Sequence, residues 1–80
     1  MRVLAMVERQ VTSEQRSGYL AGLAMTRAAA SAVKAHFWVF EHEHEPGRFV
    51  EFTEAATATD VASTHGGVLP APLWREVQGV

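Results

Sequence analysis

Apolar and polar positions change their period several times along the chain, and each change marks an element. Arg2 to Arg9, RVLAMVER, reads as a first strand. Leu4 and Met6 fall on one face and Val3, Ala5 and Val7 on the other, because side chains alternate along an extended backbone. Both faces are apolar, whereas a strand wetted on one side shows a polar residue at every second position. From Thr12 to about Ala32 the period lengthens to that of a helix. Thr12 and Gln15 have the spacing of a capping box, in which hydroxyl and amide each satisfy an otherwise orphaned backbone N–H. Tyr19, Leu20 and Leu23, extended by Ala24 and Ala28, form the predicted apolar stripe, with Gln15, Arg16 and Arg27 away from it. The alanines at 28–30 favour helix and permit a close approach to a sheet.

His36 to Glu54, HFWVFEHEHEPGRFVEFTE, reads as a β-hairpin around the turn formers Glu45-Pro46-Gly47. Its first strand places His36, Trp38, Phe40, His42 and His44 on one face, with Phe37, Val39, Glu41 and Glu43 on the other. Apolar matching predicts Phe40 opposite Phe52 and His42 opposite Val50, giving a face of Trp38, Phe40, His42, Val50 and Phe52. Phe37, Val39 and Phe49 occupy the reverse face beside Glu41 and Glu51. Thr57, with Asp60 three positions later, starts a short second helix containing Val61 and Ala62, and Gly66-Gly67 ends it. Val68 to Pro72 is an extended connector, and Leu73 to Val77 a closing strand.

The order strand, helix, strand, strand, helix, strand predicts an α+β domain spanning residues 1–80, with an antiparallel sheet and two crossover helices: the ferredoxin-like arrangement. Those helices cover one face of the sheet only. The second apolar face requires another cover, and a second copy stacking sheet on sheet supplies it, giving a two-fold dimeric α+β barrel. Chain length agrees: an 80-residue domain buries only about 60% of its unfolded surface and usually needs a disulfide, a metal or a partner. Cysteine is absent, which removes disulfides and thiolate metal sites and leaves a homodimer as the expected solution. The seven Lys and Arg are scattered and the formal charge is −2, so no phosphate-binding patch for nucleic acid is visible. No window reaches the roughly 20 apolar residues of a membrane span, and the start lacks the apolar core of a signal peptide. These features match a cytoplasmic protein.

The histidine and aromatic face of the hairpin is the chief candidate for chemistry. Trp38, Phe40 and Phe52 offer flat apolar surface for a small aromatic ligand, and His42 a group that titrates near neutrality and can move a proton. Equally, these rings can be interface core and the histidines the polar end of a strand. His42 and His44 have a metal-chelating H-x-H spacing, but His36 lies about 20 Å along the strand, too far to complete a site within one subunit. The alternating acids of EHEHE read as charges that discourage edge pairing. His65, at the end of the second helix, is placed to interact with the helix dipole. Glu51 can pair across strands with Glu41, or with Arg9 or Arg27.

Three segments carry a resemblance: RVLAMVER, TSEQRSGYL, and above all EHEPGRFVEFTEAATATDVASTHG, a hairpin turn and strand running into a short capped helix that ends at a histidine. The pattern resembles the dimeric α+β barrel proteins of the antibiotic-biosynthesis-monooxygenase-like group. It implies the fold and the dimer already inferred, and a small monooxygenase-like or ligand-binding protein acting without a cofactor. The implied substrate is an aromatic or polyketide-like molecule held between helices and sheet. It also implies His65 as a second catalytic candidate beside His42. Enzymes of the group place a tryptophan at the end of the third strand, where this chain has Ala55, and an asparagine at the pocket, which this chain lacks. The other expectation is a non-enzymatic dimeric module with a solid aromatic core.

Overall fold

Strand alternation places the odd-numbered residues of the first strand under the helices and the even-numbered ones on the opposite face. The computed structural model describes residues 1–70 and 72–80. Its elements are β1 (Val3–Gln10), α1 (Arg16–Ala32), β2 (His36–Glu41), β3 (Arg48–Ala55), α2 (Ala58–Thr64) and β4 (Leu73–Arg75). The architecture is α+β: one four-stranded antiparallel sheet, ordered β2-β3-β1-β4, with two helices. Of the expected connector Val68 to Pro72, Ala71 lies outside the described residues. The closing strand is shorter than its predicted Leu73–Val77, pairing with β1 over three residues only.

The capping box forms as its spacing predicts. Thr12 N–H donates to Gln15 Oε1 at 3.2 Å, and Gln15 N–H to Thr12 Oγ1 at 3.3 Å. It caps a turn over residues 13–15, and α1 proper begins one residue later. The helix buries a stripe rotated from the expected one. Tyr19, Leu23, Thr26 and Ala30 turn inward, whereas Leu20 is 43% exposed and Ala24 and Ala28 face solvent. Arg16, expected on the outer side, lies over the Phe49 ring at 5.5 Å and holds Glu41 through both terminal nitrogens, at 2.6 and 2.8 Å. These partners below α1 outweigh the small apolar gain of facing Leu20 and two alanines inward. The helix stops on a Schellman pattern, with Ala35 N–H on Ala30 O at 2.8 Å and Lys34 N–H on Ser31 O at 3.1 Å. Lys34 takes the left-handed position there, at φ +58°.

The hairpin register is two residues away from the expected one. Trp38 faces Phe52 and Phe40 faces Val50, so Phe40 does not pair with Phe52. The reason lies in the turn. His42 N–H still donates to Arg48 O at 2.7 Å, but its Nδ1 accepts from the backbone N–H of both His44 and Glu45, each at 3.1 Å, which curls residues 43–45 away so that His44 cannot take the place opposite Arg48. Gly47 closes the loop at φ +84°, with its carbonyl accepting from Val11 N–H at 2.8 Å; a Cβ there would strike the Val11 carbonyl. An even shift leaves every side chain on its own face. The face assignment therefore holds, except that His42 leaves the strand for the loop.

On the helix-covered side Ala5, Phe37, Phe49, Glu51, Thr53 and Ala55 are buried, and Val61 of α2 closes over Ala5 and Ala55. The largest fully buried side chains are only Val61 and Thr53. The other side is open. Leu4, Met6, Trp38, Phe40, Val50, Phe52 and Trp74 occupy it, with Trp38, Phe40 and Trp74 each about half exposed or more. A radius of gyration of 13.2 Å exceeds the roughly 11.6 Å of a closed domain of this length. With a shortest extent of 17 Å, the chain is a slab of one sheet and one helical layer.

Candidate functional site

The polar residues that alternation sends under the helices meet in a cluster. Glu51, on the central strand β3, is 5% exposed. Tyr19 of α1 donates its hydroxyl to Glu51 Oε2 at 2.6 Å, and Arg9 of β1 approaches the same oxygen through Nε at 3.3 Å. The Tyr19 ring packs on Phe49 at 4.7 Å between centroids. Burial, reinforced by the bond to an anionic carboxylate, raises the Tyr19 pKa well above its usual 10, against a smaller opposing effect of Arg9. The phenol is therefore a permanent donor at physiological pH.

Two residues along β3, Thr53 Oγ1 lies 2.7 Å from Nε2 of His65, which caps the end of α2. The imidazole stands edge-on to Phe37, 6.2 Å between centroids. Burial lowers the His65 pKa below its ordinary 6.5; the Glu51 charge opposes this and Arg9 adds to it. His65 is thus neutral at pH 7. The site consists of one carboxylate, one guanidinium, one phenol and one neutral imidazole along the helix side of β1 and β3.

A cleft of about 470 Å³ opens beside this cluster. Met25, Thr26 and Ala29 of α1 line it together with Ser63, His65, Arg9 and Val68. That volume lies within the range of small-molecule sites, roughly 300–1,000 Å³.

The predicted site residues do not come together. His65 lines this cleft. His42 is in the hairpin loop, its Nδ1 occupied by two backbone donors and its Nε2 3.2 Å from Glu45 Oε2. About five strand residues separate the β3 positions beside the two histidines, roughly 17 Å. Trp38, Phe40 and Phe52 stand on the open face, opposite the helices, so the expected pocket between helices and sheet is not lined by them. Phe40 meets Phe52 edge-on at 5.8 Å, and His36 stacks on Trp38 at 5.5 Å. The residues that do line the helix side, Arg9, Tyr19, Glu51 and Thr53, were not singled out as a group. The Glu51–Arg9 pairing was among the sequence alternatives, and the signal for the rest was Glu51 alternating in phase with Phe49, Thr53 and Ala55.

Ala55, at the position where the resembling enzymes carry a tryptophan, is fully buried against Ala5 and Val61. Among the described residues, no group of three or more His, Cys, Asp or Glu side chains is placed to hold a metal ion, and no helix is long and apolar enough to cross a membrane. No family model, no curated protein and no solved structure matches this chain.

Proposed function

We propose that the chain is a ferredoxin-like protomer of a homodimeric α+β barrel that binds a small aromatic or polyketide-like molecule in the cleft between helices and sheet. One observation carries the binding reading. Arg9 lines the cleft and is anchored to the buried Glu51, which also accepts from Tyr19, where packing alone would favour apolar side chains. A guanidinium anchored on a buried carboxylate and a neutral imidazole, both lining the cleft, suit recognition of a polar group on an otherwise flat ligand, and His65 is the acid–base group if the ligand is turned over. Ala55 in the core and the absence of asparagine weigh against the oxygenase chemistry of the resembling enzymes.

The dimer is supported by the open face. Four strands spaced about 4.8 Å and some six residues of about 3.3 Å give a face of roughly 400 Å² in plan, before the relief of its side chains adds to the accessible surface. A standard interface buries about 800 Å² per partner. Ion pairs border the apolar centre at both ends, Glu8 with Arg48 and Arg2 with Glu54, so each end offers both signs to a two-fold mate. A second reading, the non-enzymatic module with a packed aromatic interface, is favoured by the location of Trp38, Phe40 and Phe52 on this face and away from the cleft.

Titration of the isotope-labelled protein with 2-naphthoate and with 2-naphthamide, followed by amide chemical shifts, separates the two readings. The ligand-binding reading expects saturable shifts at Thr26, Ala29, Ser63 and His65. Shifts confined to the open face, or none up to millimolar ligand, would leave only the dimeric module.

A further inference from the structure

We propose that the cleft selects a small monocarboxylate with a flat apolar body, and that Arg9 is the residue that reads the carboxylate. This rests on the ligand-binding reading above and goes on to name the charge of the ligand.

Arg9 is next to last on β1, on the helix side. Its Nε is anchored at 3.3 Å to Glu51 Oε2, and the same oxygen accepts from the Tyr19 hydroxyl at 2.6 Å. The Glu51 side chain is 6% exposed and that of Arg9 50% exposed, so the carboxylate lies beneath and the guanidinium faces outward. Because a guanidinium is planar, holding Nε on a buried anchor also restricts where the two terminal nitrogens can lie. Those nitrogens make no hydrogen bond to another side chain among the described residues. Arg16 and Arg48, by contrast, commit both terminal nitrogens to carboxylates, of Glu41 in one case and of Glu8 and Glu45 in the other. The geometry at Arg9 is a fork supported at Nε with both terminal nitrogens directed away from that anchor, the arrangement that matches a carboxylate with two parallel bonds.

The rest of the cleft fits the same ligand. No acidic side chain lines it, so Arg9 is its single formal charge at neutral pH, His65 being neutral. Met25, Ala29 and Val68 supply an apolar wall for a flat body, with the Ser63 hydroxyl nearby. One cation and apolar walls match one anionic group on an apolar frame. Because Glu51 already offsets part of the Arg9 charge, a dianion would add a second negative charge with no cation to meet it, and a neutral aromatic would forgo the two parallel bonds of the fork.

The acid and the amide of naphthalene have nearly the same shape and differ in charge, so their affinities isolate the fork. Calorimetric titration of the wild-type protein is expected to give 2-naphthoate at least about tenfold tighter binding than 2-naphthamide, an advantage that shrinks as salt is added. Arg9→Gln should bring the two ligands to within about twofold by weakening the acid alone, and Arg9→Lys, which keeps the charge but not the fork, should fall between. Since Arg9→Gln leaves the buried Glu51 without its cation, Arg9→Gln combined with Glu51→Gln removes both charges and must also abolish the preference. Equal affinities in the wild-type protein, or a preference that survives in the double variant, would overturn the assignment while leaving the cleft as a ligand site. Saturable binding of neither compound would overturn both.

Discussion

Phe40→Glu tests the open face most directly. The Phe40 residue is 57% exposed in the single protomer, so the change costs the isolated fold little. Its main intramolecular loss is the edge contact with Phe52, about 0.5–1.5 kcal/mol. In a sheet-on-sheet dimer the same change is far more damaging. An aromatic side chain carries roughly 200 Å², so the exposed share is about 110 Å², or about 3 kcal/mol at roughly 25 cal/mol/Å². Two-fold symmetry counts the loss twice, about 6 kcal/mol, which corresponds to roughly a 10⁴-fold rise in the dissociation constant. Association recovers only part of what area predicts, so a weakening of about 100-fold is the least the argument allows. Sedimentation velocity over a micromolar dilution series reads it directly. The wild-type protein should run at twice its 8.8 kDa chain mass and the variant at the chain mass. A wild-type protein that sediments as one chain at every concentration while unfolding cooperatively would refute the reasoning, as would a variant that stays dimeric.

Tyr19→Phe removes one hydrogen bond to a buried carboxylate and should lower urea-unfolding stability by about 1.5–3 kcal/mol with an unchanged m-value. Because the folded Tyr19 holds its proton above the ordinary 10, wild-type stability should fall as pH rises beyond 10, and this loss should be missing from the variant. Glu41, held down to about 2 chiefly by Arg16 and next by the Gly47 N–H, contributes stability that is complete above 4.5 and fades as pH falls toward 2; Glu41→Gln should flatten that part of the acid-unfolding curve. Lys34→Gly relieves a left-handed residue at the end of α1 and should raise the thermal midpoint, by an amount equivalent to about 1 kcal/mol.

What the sequence made legible follows from period. Alternation set Ala5 apart from Met6 on β1, and Phe37 and Phe49 apart from Trp38 and Phe52 in the hairpin; the Thr57–Asp60 spacing located the start of α2, whereas the Thr12–Gln15 box caps a turn just before α1. Two-fold periodicity is blind to an even register shift, which is why the pairing of Phe40 with Phe52 passed every test of apolar matching. The information that decided it was a ring nitrogen of His42 accepting two backbone N–H groups, a local competition with strand pairing that composition does not reveal. The rotation of α1 has a similar source. Hydropathy ranks Leu20 above Arg16 for the inner face, yet the guanidinium has Glu41 and the Phe49 ring as partners, and its stem covers apolar surface on the way. The candidate site was harder because its members come from four elements; His65 was named at the end of α2 and Glu51 stood out as an acid in phase with a buried row, but nothing in the sequence joined them to Tyr19 and Arg9.

The two faces of the sheet divide the work between them, and the division follows from the same alternation. On β3, Phe49, Glu51, Thr53 and Ala55 lie toward the helices, where Glu51 and Thr53 hold Tyr19, Arg9 and His65 in place. Val50 and Phe52, interleaved with them, lie toward the open side. On β1 and β3, therefore, the row proposed for ligand binding and the row proposed for assembly lie on opposite faces of one backbone. Changes more than about 7–10 Å apart with no shared partner add in their effects. Arg9→Gln should then alter ligand preference without shifting the dimer, and Phe40→Glu should shift the dimer while any folded protomer keeps its ligand preference. Coupling between the two would mean that the sheet needs its mate to hold Glu51 and Arg9 in register. The small core, in which Val61 and Thr53 are the largest fully buried side chains, makes that coupling a matter of stability and not of contact.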